Sequence, residues 1–484
     1  MVEIGYQKEQ IIERLKFDNP WWANGKIDKY YDEMPRRMYQ EKFHALVADW
    51  SLHRSLILMG PRRVGKTVLI FHTIQELILQ GVNPQKIIYI SIETPIYTSN
   101  SLEELFLFSR EALCSESADG FFVFFDEIQY LKGWEIHLKS LTDSYHNCKF
   151  IASGSAAAAL KLKSMESGAG RFTDFQLPPL TFCEYIHLKG LDSLIVPQTG
   201  QMQDVEFQSF GTIDIDLLNY HFINYLNFGG YPEVVFSERI QSNPAQFIRS
   251  DIIDKVLLRD LPSLYGVSDV QELNAFFSVI AYNSGNEFSQ ENLSTLSGVK
   301  KDTIRKYIEY LEAAFLVKIL NKIDINAKHF QRVTSFKMYL TNPSLRCALF
   351  KPLQATDDKI GELVETAVLS QFFPRTDSSI CYANWKAGKM SGEVDVVRMN
   401  PATQKVLWAT EVKWSNRYFE QCKELHSLLS FMQKNGLKEA VVTSIDKKGT
   451  KQVENFTLHF VPTALYTYHI GYNTIHNIYD INNY

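Results

Sequence analysis

Short apolar runs of strand length alternate with helical patterns through the first third of the chain. Five consecutive apolar residues, 121–125, are typical of a central parallel strand that is buried on both faces. Further strands are predicted at residues 56–59, 86–93, 149–155 and 172–177, and helices at 39–50, 68–80 and 101–113. This alternation predicts an α/β fold built around a parallel sheet.

Helical patterns dominate the middle of the chain. Residues 186–260 are helical and irregular, and we interpret the polar stretch 198–212 as an inserted loop. Because residues 186–260 follow the predicted α/β core directly, we expect them to form a helical lid. Helices are then predicted at 270–281, 289–298 and 300–314, followed by a strand at 315–320, which is the outline of a winged helix-turn-helix.

The C-terminal region returns to a mixed pattern. A helix is predicted at residues 361–369 and another at 419–432, with strands at 392–397, 406–414 and 440–444. An extended aromatic run is predicted at 456–470. The pattern predicts a second α/β domain.

Composition limits the class of protein. The 484 residues are 45% hydrophobic and 22% charged, with a net charge of −5, and this length predicts roughly three domains. No apolar run is long enough to span a bilayer, and the N-terminus lacks the regions of a signal peptide, so we expect a cytoplasmic protein without a membrane partner. The six scattered cysteines argue against a disulfide framework. With this charge, any nucleic-acid contact requires a local basic face.

One motif carries specific chemistry. The residues Gly60-Pro61-Arg62-Arg63-Val64-Gly65-Lys66-Thr67 follow a strand and open a helix, which is the context of a phosphate-binding loop, or P-loop. Gly60 and Gly65 allow the backbone N–H groups to point inward around phosphate oxygens. Lys66 would reach the β- and γ-phosphates, and the Thr67 hydroxyl would hold Mg²⁺. The motif predicts binding of ATP with Mg²⁺.

An acidic pair follows the predicted central strand. Asp126 and Glu127 fall at its carboxyl end, where open α/β sheets bind ligands. We expect Asp126 to bind the magnesium shell, and Glu127 to orient and deprotonate the attacking water.

Several polar residues leave alternatives open. Ser153 or Ser155 would contact the γ-phosphate or the water, or belong to a serine-rich turn. Arg171 follows a glycine segment and would either stabilise transition-state charge, in its own subunit or a neighbour's, or lie at the surface. Arg36 and Arg37 would contact nucleotide or solvent, and we favour solvent.

The chain resembles a known family through four motifs: the P-loop above, Phe-Phe-Asp126-Glu127-Ile-Gln, Ala-Ser153-Gly-Ser155, and Gly-Arg171-Phe with the Leu-Pro-Pro-Leu segment that follows. These are similar to prokaryotic AAA+-type ATPases of the "GPRxVGKT" group, whose C-terminal region often looks like a PD-(D/E)xK nuclease. The resemblance covers most of the chain. It implies ATP hydrolysis and a strand order typical of AAA+ proteins.

Basic residues mark the start of the third helix in the predicted winged module: Lys300, Lys301, Arg305 and Lys306. Such a position suits contact with DNA phosphates and entry into a groove. Packing between domains is the open alternative.

A second set of charged residues lies in the C-terminal region. Strand side chains alternate between faces, so Glu411 and Lys413 project from the same side, and Asp395 joins them if the strands pair. Asp395 and Glu411 would hold Mg²⁺, and Lys413 would position a metal-bound water. The set resembles the D…ExK core of PD-(D/E)xK nucleases, with Glu365 as the usual extra carboxylate. Ordinary charge alternation on an exposed strand is the alternative.

Together these patterns predict an AAA+-type ATPase core with a parallel sheet, a helical lid, a winged helix-turn-helix and a restriction-endonuclease-like α/β domain, at residues 1–185, 186–260, 261–322 and 323–484. The leading hypothesis is an ATPase coupled to a DNA-directed nuclease, with a homo-oligomer as an open possibility. The rival is a nucleotide-switched binding protein whose C-terminal domain is catalytically inactive.

Overall fold

A computed structural model describes residues 8–154, 170–202, 205–328, 335–374, 379–387 and 390–477. The chain divides into two compact units, Met1–Pro178 and Pro179–Tyr484. The four predicted domains are finer than this division, and their boundaries stay a prediction.

Parallel strands form the sheet of the first unit. They are β1 (Ser55–Met59), β2 (Ile87–Ser91), β3 (Phe122–Asp126), β4 (Lys149–Gly154) and β5 (Phe172–Gln176), in the order β2-β3-β4-β1-β5. All neighbouring pairs are parallel, so the carboxyl ends meet at one edge. Strands β1, β3 and β4 are buried throughout, as strands covered on both faces are. The predicted parallel α/β core is confirmed.

Helices surround this sheet. They are α1 (Lys8–Asp18), α2 (Trp21–Asn24), α3 (Lys29–Asp32), α4 (Gln40–Ala48), α5 (Lys66–Leu79), α6 (Leu102–Ala112) and α7 (Trp134–Ser144). Those predicted at residues 39–50, 68–80 and 101–113 are confirmed as α4, α5 and α6. Helix α6 begins with a capping box in which Ser101 and Glu104 each accept a backbone N–H of the other.

The N-terminal segment covers the free edge of β2. The buried Asn19 side chain accepts from the Tyr89 N–H at 2.7 Å and donates to the Tyr89 carbonyl at 2.9 Å. The indoles of Trp21 and Trp22 donate to the Ile87 carbonyl at 2.9 and 2.7 Å. An unpaired strand edge can pair with another chain, so these side chains complete the sheet.

Helices and a mixed nine-stranded sheet form the second unit. The helices are α8 (Phe182–Leu188), α9 (Ile215–Phe228), α10 (Pro232–Phe236), α11 (Glu238–Ser242), α12 (Leu261–Tyr265), α13 (Val270–Tyr282), α14 (Gln290–Ser297), α15 (Lys301–Ala313), α16 (Ser344–Leu349), α17 (Ile360–Ser370), α18 (Arg417–Glu420), α19 (His426–Asn435) and α20 (Thr463–Asn477), with π-helices at Ala245–Asp254 and Val256–Asp260. None of the helices in the described residues is long and apolar enough to cross a membrane.

The strands of this unit form a hairpin and the large sheet. They are β6 (Ile195–Met202), β7 (Val205–Thr212), β8 (Glu287–Phe288), β9 (Val317–Ile323), β10 (Phe336–Leu340), β11 (Ile380–Ala387), β12 (Met390–Met399), β13 (Val406–Glu411), β14 (Glu439–Ser444), β15 (Gly449–Val453) and β16 (Phe456–Pro462). The large sheet has the order β15-β16-β14-β13-β12-β11-β9-β10-β8.

The interpretation of residues 198–212 as a loop is wrong, because β6 and β7 pair as an antiparallel hairpin. Polar residues stand opposite each other in the ladder, as Gln198 and Ser209 do. Residues 198–201 are polar or glycine, so the apolar alternation that signals a strand is missing from this part of β6. The buried Phe210 ring anchors the hairpin 5.1 Å from the ring of Tyr468 and 4.8 Å from that of Tyr472.

The predicted three-helix module is present as α13, α14 and α15. Strand β9 begins at Val317, two residues later than predicted, and forms an antiparallel pair with β10. Strand β9 also pairs in parallel with β11. The strands that would form a wing therefore continue into the C-terminal sheet, and the winged-helix assignment stays a prediction.

The extended run predicted at 456–470 is wrong in its second half. Strand β16 ends at Pro462 and helix α20 begins at Thr463. Aromatic and β-branched residues made this run resemble a strand. Residues 463–468 are all buried, so the helix is packed on nearly every side there and lacks the single apolar face by which a helix is recognised in a sequence.

The covered edge of β2 yields a stability prediction. Asn19→Ala leaves the buried N–H and carbonyl of Tyr89 without these partners, so the free energy of unfolding should fall by roughly 2 kcal/mol or more. Asn24→Ala is the control, since Asn24 caps an exposed turn at the Lys26 N–H. The midpoint of urea unfolding of the full chain measures both. An Asn19→Ala midpoint equal to that of Asn24→Ala would contradict this role.

Candidate functional site

The loop between β1 and α5 has the backbone of an anion cradle. Arg63 (φ +65°) and Gly65 (φ +93°) both adopt the left-handed conformation, which turns nearby N–H groups toward one side of the loop. Gly60 lies so close to the end of β5 that a Cβ atom there would stand 2.2 Å from the Leu177 carbonyl oxygen. Only glycine can occupy position 60 without a shift of the backbone.

Lys66 lies inside this loop and is only 4% exposed. Its ammonium donates to the carbonyl oxygens of Gly60 and Pro61 at 3.2 and 3.0 Å. A buried ammonium needs acceptors or an anion around it. The loop therefore holds a positive charge where a P-loop places phosphate oxygens.

The carboxylate of Asp126 is the centre of the site. It is 2% exposed at the carboxyl end of β3. Its Oδ2 accepts from the hydroxyls of Thr67 at 2.7 Å and Tyr89 at 2.9 Å, and its Oδ1 accepts from the Ser153 hydroxyl and from the Glu127 N–H at 3.1 Å. One carboxylate thus joins α5, β2 and β4 to β3.

Burial raises the pKa of Asp126, and repulsion from Glu127 adds to this, whereas hydrogen bonds from Ser153, Thr67 and Tyr89 lower it. Burial, with the negative charge of Asp126, raises the pKa of Tyr89 well above its ordinary value. The hydroxyl donors partly stabilise the carboxylate, and a nearby cation would stabilise it further.

Glu127 turns the chain sharply after β3. Its φ of +54° is left-handed, which is uncommon outside glycine and is found at functional sites. Its N–H also lies 3.2 Å from the Ser153 hydroxyl oxygen, and its carboxylate accepts from the Gln129 amide. The turn places a second carboxylate directly after the one that binds Thr67.

The placement of Arg37 in solvent is wrong. Arg37 is 5% exposed, and its guanidinium donates to the Val64 carbonyl at 2.6 Å and the Pro178 carbonyl at 3.1 Å. Arg36 is at the surface, where it donates to Glu76 at 3.0 Å. Sequence reasoning missed Arg37 because its partners are backbone carbonyls far along the chain.

Arg171 lies at the sheet edge opposite the P-loop. Its carbonyl accepts from the Ser55 N–H at 2.9 Å at the start of β1, whereas the P-loop follows Met59 at the end of β1. Its guanidinium pairs with Asp143 at 2.5 Å. Contact with a nucleotide of its own subunit is therefore wrong, while the neighbouring-subunit and surface alternatives stay open. Ser155 lies outside the described residues.

The residues at this site fit a magnesium nucleotide. The Thr67 hydroxyl and the Asp126 carboxylate offer the oxygen ligands that Mg²⁺ prefers, and their nearest oxygens are 2.7 Å apart. The loop N–H groups and the Lys66 ammonium are partners for phosphate oxygens. The fold brings the predicted residues 60–67, Asp126 and Glu127 to one edge of the sheet.

The second predicted set converges at the carboxyl end of β13. The Lys413 ammonium lies 2.7 Å from Glu411 Oε1 and 3.7 Å from Asp395 Oδ2. The Val412 N–H donates to Asp395 Oδ2 at 2.8 Å. The other oxygen of Glu411, Oε2, is buried and makes no hydrogen bond within the described residues.

Glu365 lies in an adjoining ion-pair group. The Lys337 ammonium is 2.9 Å from Glu365 and 2.6 Å from Glu393, and the Tyr339 hydroxyl donates to Glu365 at 2.6 Å. Burial lowers the pKa of Lys337, but Glu365 and the other negative groups raise it well above its ordinary value. Lys337 and Tyr339 were missed, because no acidic pattern surrounds them on β10.

Burial and the charge of Asp395 raise the pKa of Glu411 to about 8, although Lys413 opposes this. Across the described ranges no group of three or more His, Cys, Asp or Glu side chains is arranged to hold a metal ion. Asp395 and Glu411 are a pair of carboxylates. Because Glu411 Oε2 makes no hydrogen bond within the described residues, this oxygen suits a ligand of a divalent cation better than a member of a fully satisfied ion pair.

The basic residues predicted for DNA contact lie on the surface. Lys300, Lys301, Arg305 and Lys306 are all exposed at the start of α15. Lys301 pairs with Glu291 at 2.7 Å, which reduces the positive charge of this surface. Contact with DNA stays a prediction.

Comparison with known proteins identifies the type of domain in the N-terminal part of the chain. Residues 52–186 match a family model described as an AAA domain. The N-terminal part of the chain carries an AAA-type P-loop ATPase domain. Residues 219–358 match a model described as a domain of unknown function, DUF8612, which spans parts of three predicted domains. Neither description names a nuclease or a winged helix. For the part of the chain beyond the AAA-type domain, these two resemblances therefore stay predictions.

Similar proteins are themselves uncharacterised. One from Haemophilus influenzae is 27% identical over 295 residues, covering 60% of this chain and 68% of its own length. Two from Methanocaldococcus jannaschii are 24% and 23% identical, covering 56% and 73% of this chain and 57% and 74% of their own lengths. The structure of C. elegans PCH-2 is 13% identical with a TM-score of 0.27, and the match covers 51% of this chain and 66% of that chain. The match to this chain thus covers 57% of the length of the first M. jannaschii protein and 66% of the C. elegans chain, which is less than two thirds of each.

The raised pKa of Glu411 predicts a pH effect outside the AAA-type domain. The folded chain keeps a proton on Glu411 that the unfolded chain releases above its ordinary pKa of 4.5, so stability is lost as pH rises toward about 8. With divalent cations chelated, Glu411→Gln should reduce this loss, which is at most about 1.4 kcal/mol per pH unit. Urea unfolding across this pH range measures it. Identical pH profiles for both proteins would contradict the assignment.

Proposed function

We propose that the first unit binds ATP with Mg²⁺ and hydrolyses it. The observation that carries this proposal is the 2.7 Å hydrogen bond between Thr67 and the buried Asp126, beside the enclosed Lys66. Transfer of a phosphoryl group requires oxygen ligands for a hard cation and a positive charge for the phosphate. Thr67 and Asp126 offer the ligands, and the Lys66 ammonium offers the charge. The AAA domain match to residues 52–186 supports the same reading.

The protein groups have distinct roles in this proposal. Lys66 exchanges the carbonyls of Gly60 and Pro61 for phosphate oxygens, because these carry more negative charge. Thr67 and Asp126 would hold Mg²⁺, which neutralises phosphate charge when bound. Cation binding also offsets the cost of burying the Asp126 carboxylate.

Glu127 is the proposed general base. Its carboxylate exchanges the Gln129 amide for a water molecule and takes a proton from it. The water oxygen bonds to the γ-phosphorus while the bond from that phosphorus to the β–γ bridging oxygen breaks, releasing ADP and phosphate. Ser153 holds the Glu127 N–H and so helps to fix this turn.

Two substitutions separate binding from turnover. Lys66→Ala should abolish ATP binding and hydrolysis by removing the charge at the phosphates, whereas Glu127→Gln should keep binding and lose turnover. Lys139→Ala, on the exposed face of α7, is the control. Phosphate release and equilibrium ATP binding measure the two effects. Wild-type turnover by Glu127→Gln would show that another group is the base.

A DNA-directed nuclease at the second set of residues is the second candidate function. Four carboxylates, those of Glu365, Glu393, Asp395 and Glu411, adjoin the two ammonium groups of Lys337 and Lys413. Carboxylate oxygens are ligands that a hard divalent cation prefers, and Asp395 and Glu411 are the pair proposed to hold it. The buried, unsatisfied Glu411 Oε2 favours this candidate.

The rival is a nucleotide-switched binding protein whose C-terminal site is inactive. The closed pairs Lys413–Glu411 and Lys337–Glu365 favour this rival, because each ammonium already occupies a carboxylate oxygen. In either case the exposed basic start of α15 is the proposed contact with DNA. A homo-oligomer in which Arg171 acts on a neighbour's nucleotide is a further part of the proposal.

The nuclease candidate makes its own prediction. Asp395→Ala should lose Mg²⁺ binding and cleavage together, and Lys413→Ala should keep the cation but lose cleavage, while both keep ATP hydrolysis. Lys434→Ala, which removes an exposed lysine of α19, is the control. Cleavage of duplex, single-stranded and branched DNA and of RNA is measured with Mg²⁺ or Mn²⁺, with and without ATP. No cleavage by the wild type would favour the inactive binding module.

A further inference from the structure

Arg37 is a buried side chain outside the motif that hydrogen-bonds directly to the P-loop. Its Nη1 donates to the Val64 carbonyl at 2.6 Å, and its Nη2 donates to the Pro178 carbonyl at 3.1 Å. The guanidinium also lies 5.6 Å from the centre of the Tyr39 ring. The two hydrogen bonds therefore tie the P-loop to the chain that leaves β5.

The bond to Val64 fixes the direction of a peptide group. A trans peptide is planar, so its carbonyl and the following N–H point in opposite directions. Because the Val64 carbonyl points to Arg37, the Gly65 N–H points away from Arg37. Gly65 adopts a φ of +93° in the cradle, so this N–H is one of those available to a phosphate.

The bond to Pro178 fixes the position of the loop. The Leu177 N–H donates to the Met59 carbonyl at 2.7 Å, and the Leu177 carbonyl leaves no space for a Cβ atom on Gly60. The P-loop therefore packs against Leu177, directly after the end of β5. Arg37 therefore connects the segment after β5, at Pro178, to the P-loop at Val64.

We propose that Arg37 is a positioning residue for phosphate binding, which holds the Val64–Gly65 peptide in the orientation that receives the nucleotide. This inference rests on the proposed binding of ATP. In this proposal Arg37 acts through the peptide group rather than on the phosphates, because Nη1 and Nη2 both donate to carbonyl oxygens. A lysine has the charge but not the planar fork, and would serve one of the two carbonyls.

The test compares two substitutions of Arg37 with one of its neighbour. Arg37→Met removes the fork, Arg37→Lys keeps the charge, and Arg36→Met is the control because Arg36 is exposed and pairs with Glu76 on α5. Equilibrium binding of Mg·ATP, KM and kcat at saturating ATP, and thermal unfolding without nucleotide are measured for each full-length protein.

The expected result is a loss of affinity without a comparable loss of turnover. Arg37→Met should raise the Kd and KM for ATP roughly tenfold or more, which is about 1.4 kcal/mol per factor of ten. Its kcat at saturating ATP should stay close to that of the wild type, Arg37→Lys should fall between, and Arg36→Met should match the wild type.

Unchanged ATP affinity in folded Arg37→Met would overturn the inference, while loss of binding in Lys66→Ala would still uphold the ATP site. Failure of both Arg37 variants to fold, or an Arg37→Lys protein that binds as the wild type, would also overturn it, because Arg37 would then act on stability or through charge alone. Absence of ATP binding by the wild type would instead refute the proposed function.

Discussion

The buried carboxylate of Asp126 is the constraint on which the nucleotide site depends. Hydroxyls from Thr67, Tyr89 and Ser153 converge on it, and they come from the P-loop helix and from both strands beside β3. An isolated buried carboxylate costs several kcal/mol, so the hydrogen bonds that stabilise its charge also fix the relative positions of these elements. The same hydrogen bonds therefore hold these elements together, stabilise the charge of Asp126 and shape the proposed cation site.

Much of this arrangement could be predicted from local spacing. The P-loop follows β1 directly, Asp126 is the last residue of β3 and Glu127 comes next, so pattern and chemistry coincide in short stretches of sequence. Arg37 and Tyr89 could not be found in this way, because their partners lie 27 and 37 residues away. Arg171 was open to a nucleotide role in its own subunit only while the register of β5 with β1 was unknown.

The second unit shows a different limit. Asp395, Glu411 and Lys413 meet as their order predicts, but Lys337 and Tyr339 reach Glu365 from β10, a strand that the sequence analysis did not predict. Pairing of β9 with both β10 and β11 brings these residues together. Long-range strand pairing carries no local signal, whereas the local hairpin of β6 with β7 was missed because polar residues occupy much of β6.

The most direct test of the central claim is the Mg²⁺ dependence of ATP affinity. Calorimetric titration of ATP into the full chain, with Mg²⁺ or with a chelator, is compared between the wild type and Asp126→Asn. If Thr67 and Asp126 hold the cation, the wild type binds one ATP per chain more tightly with Mg²⁺, and Asp126→Asn loses most of that difference. Equal affinity in both conditions for the wild type, or an undiminished Mg²⁺ effect in Asp126→Asn, would contradict the account.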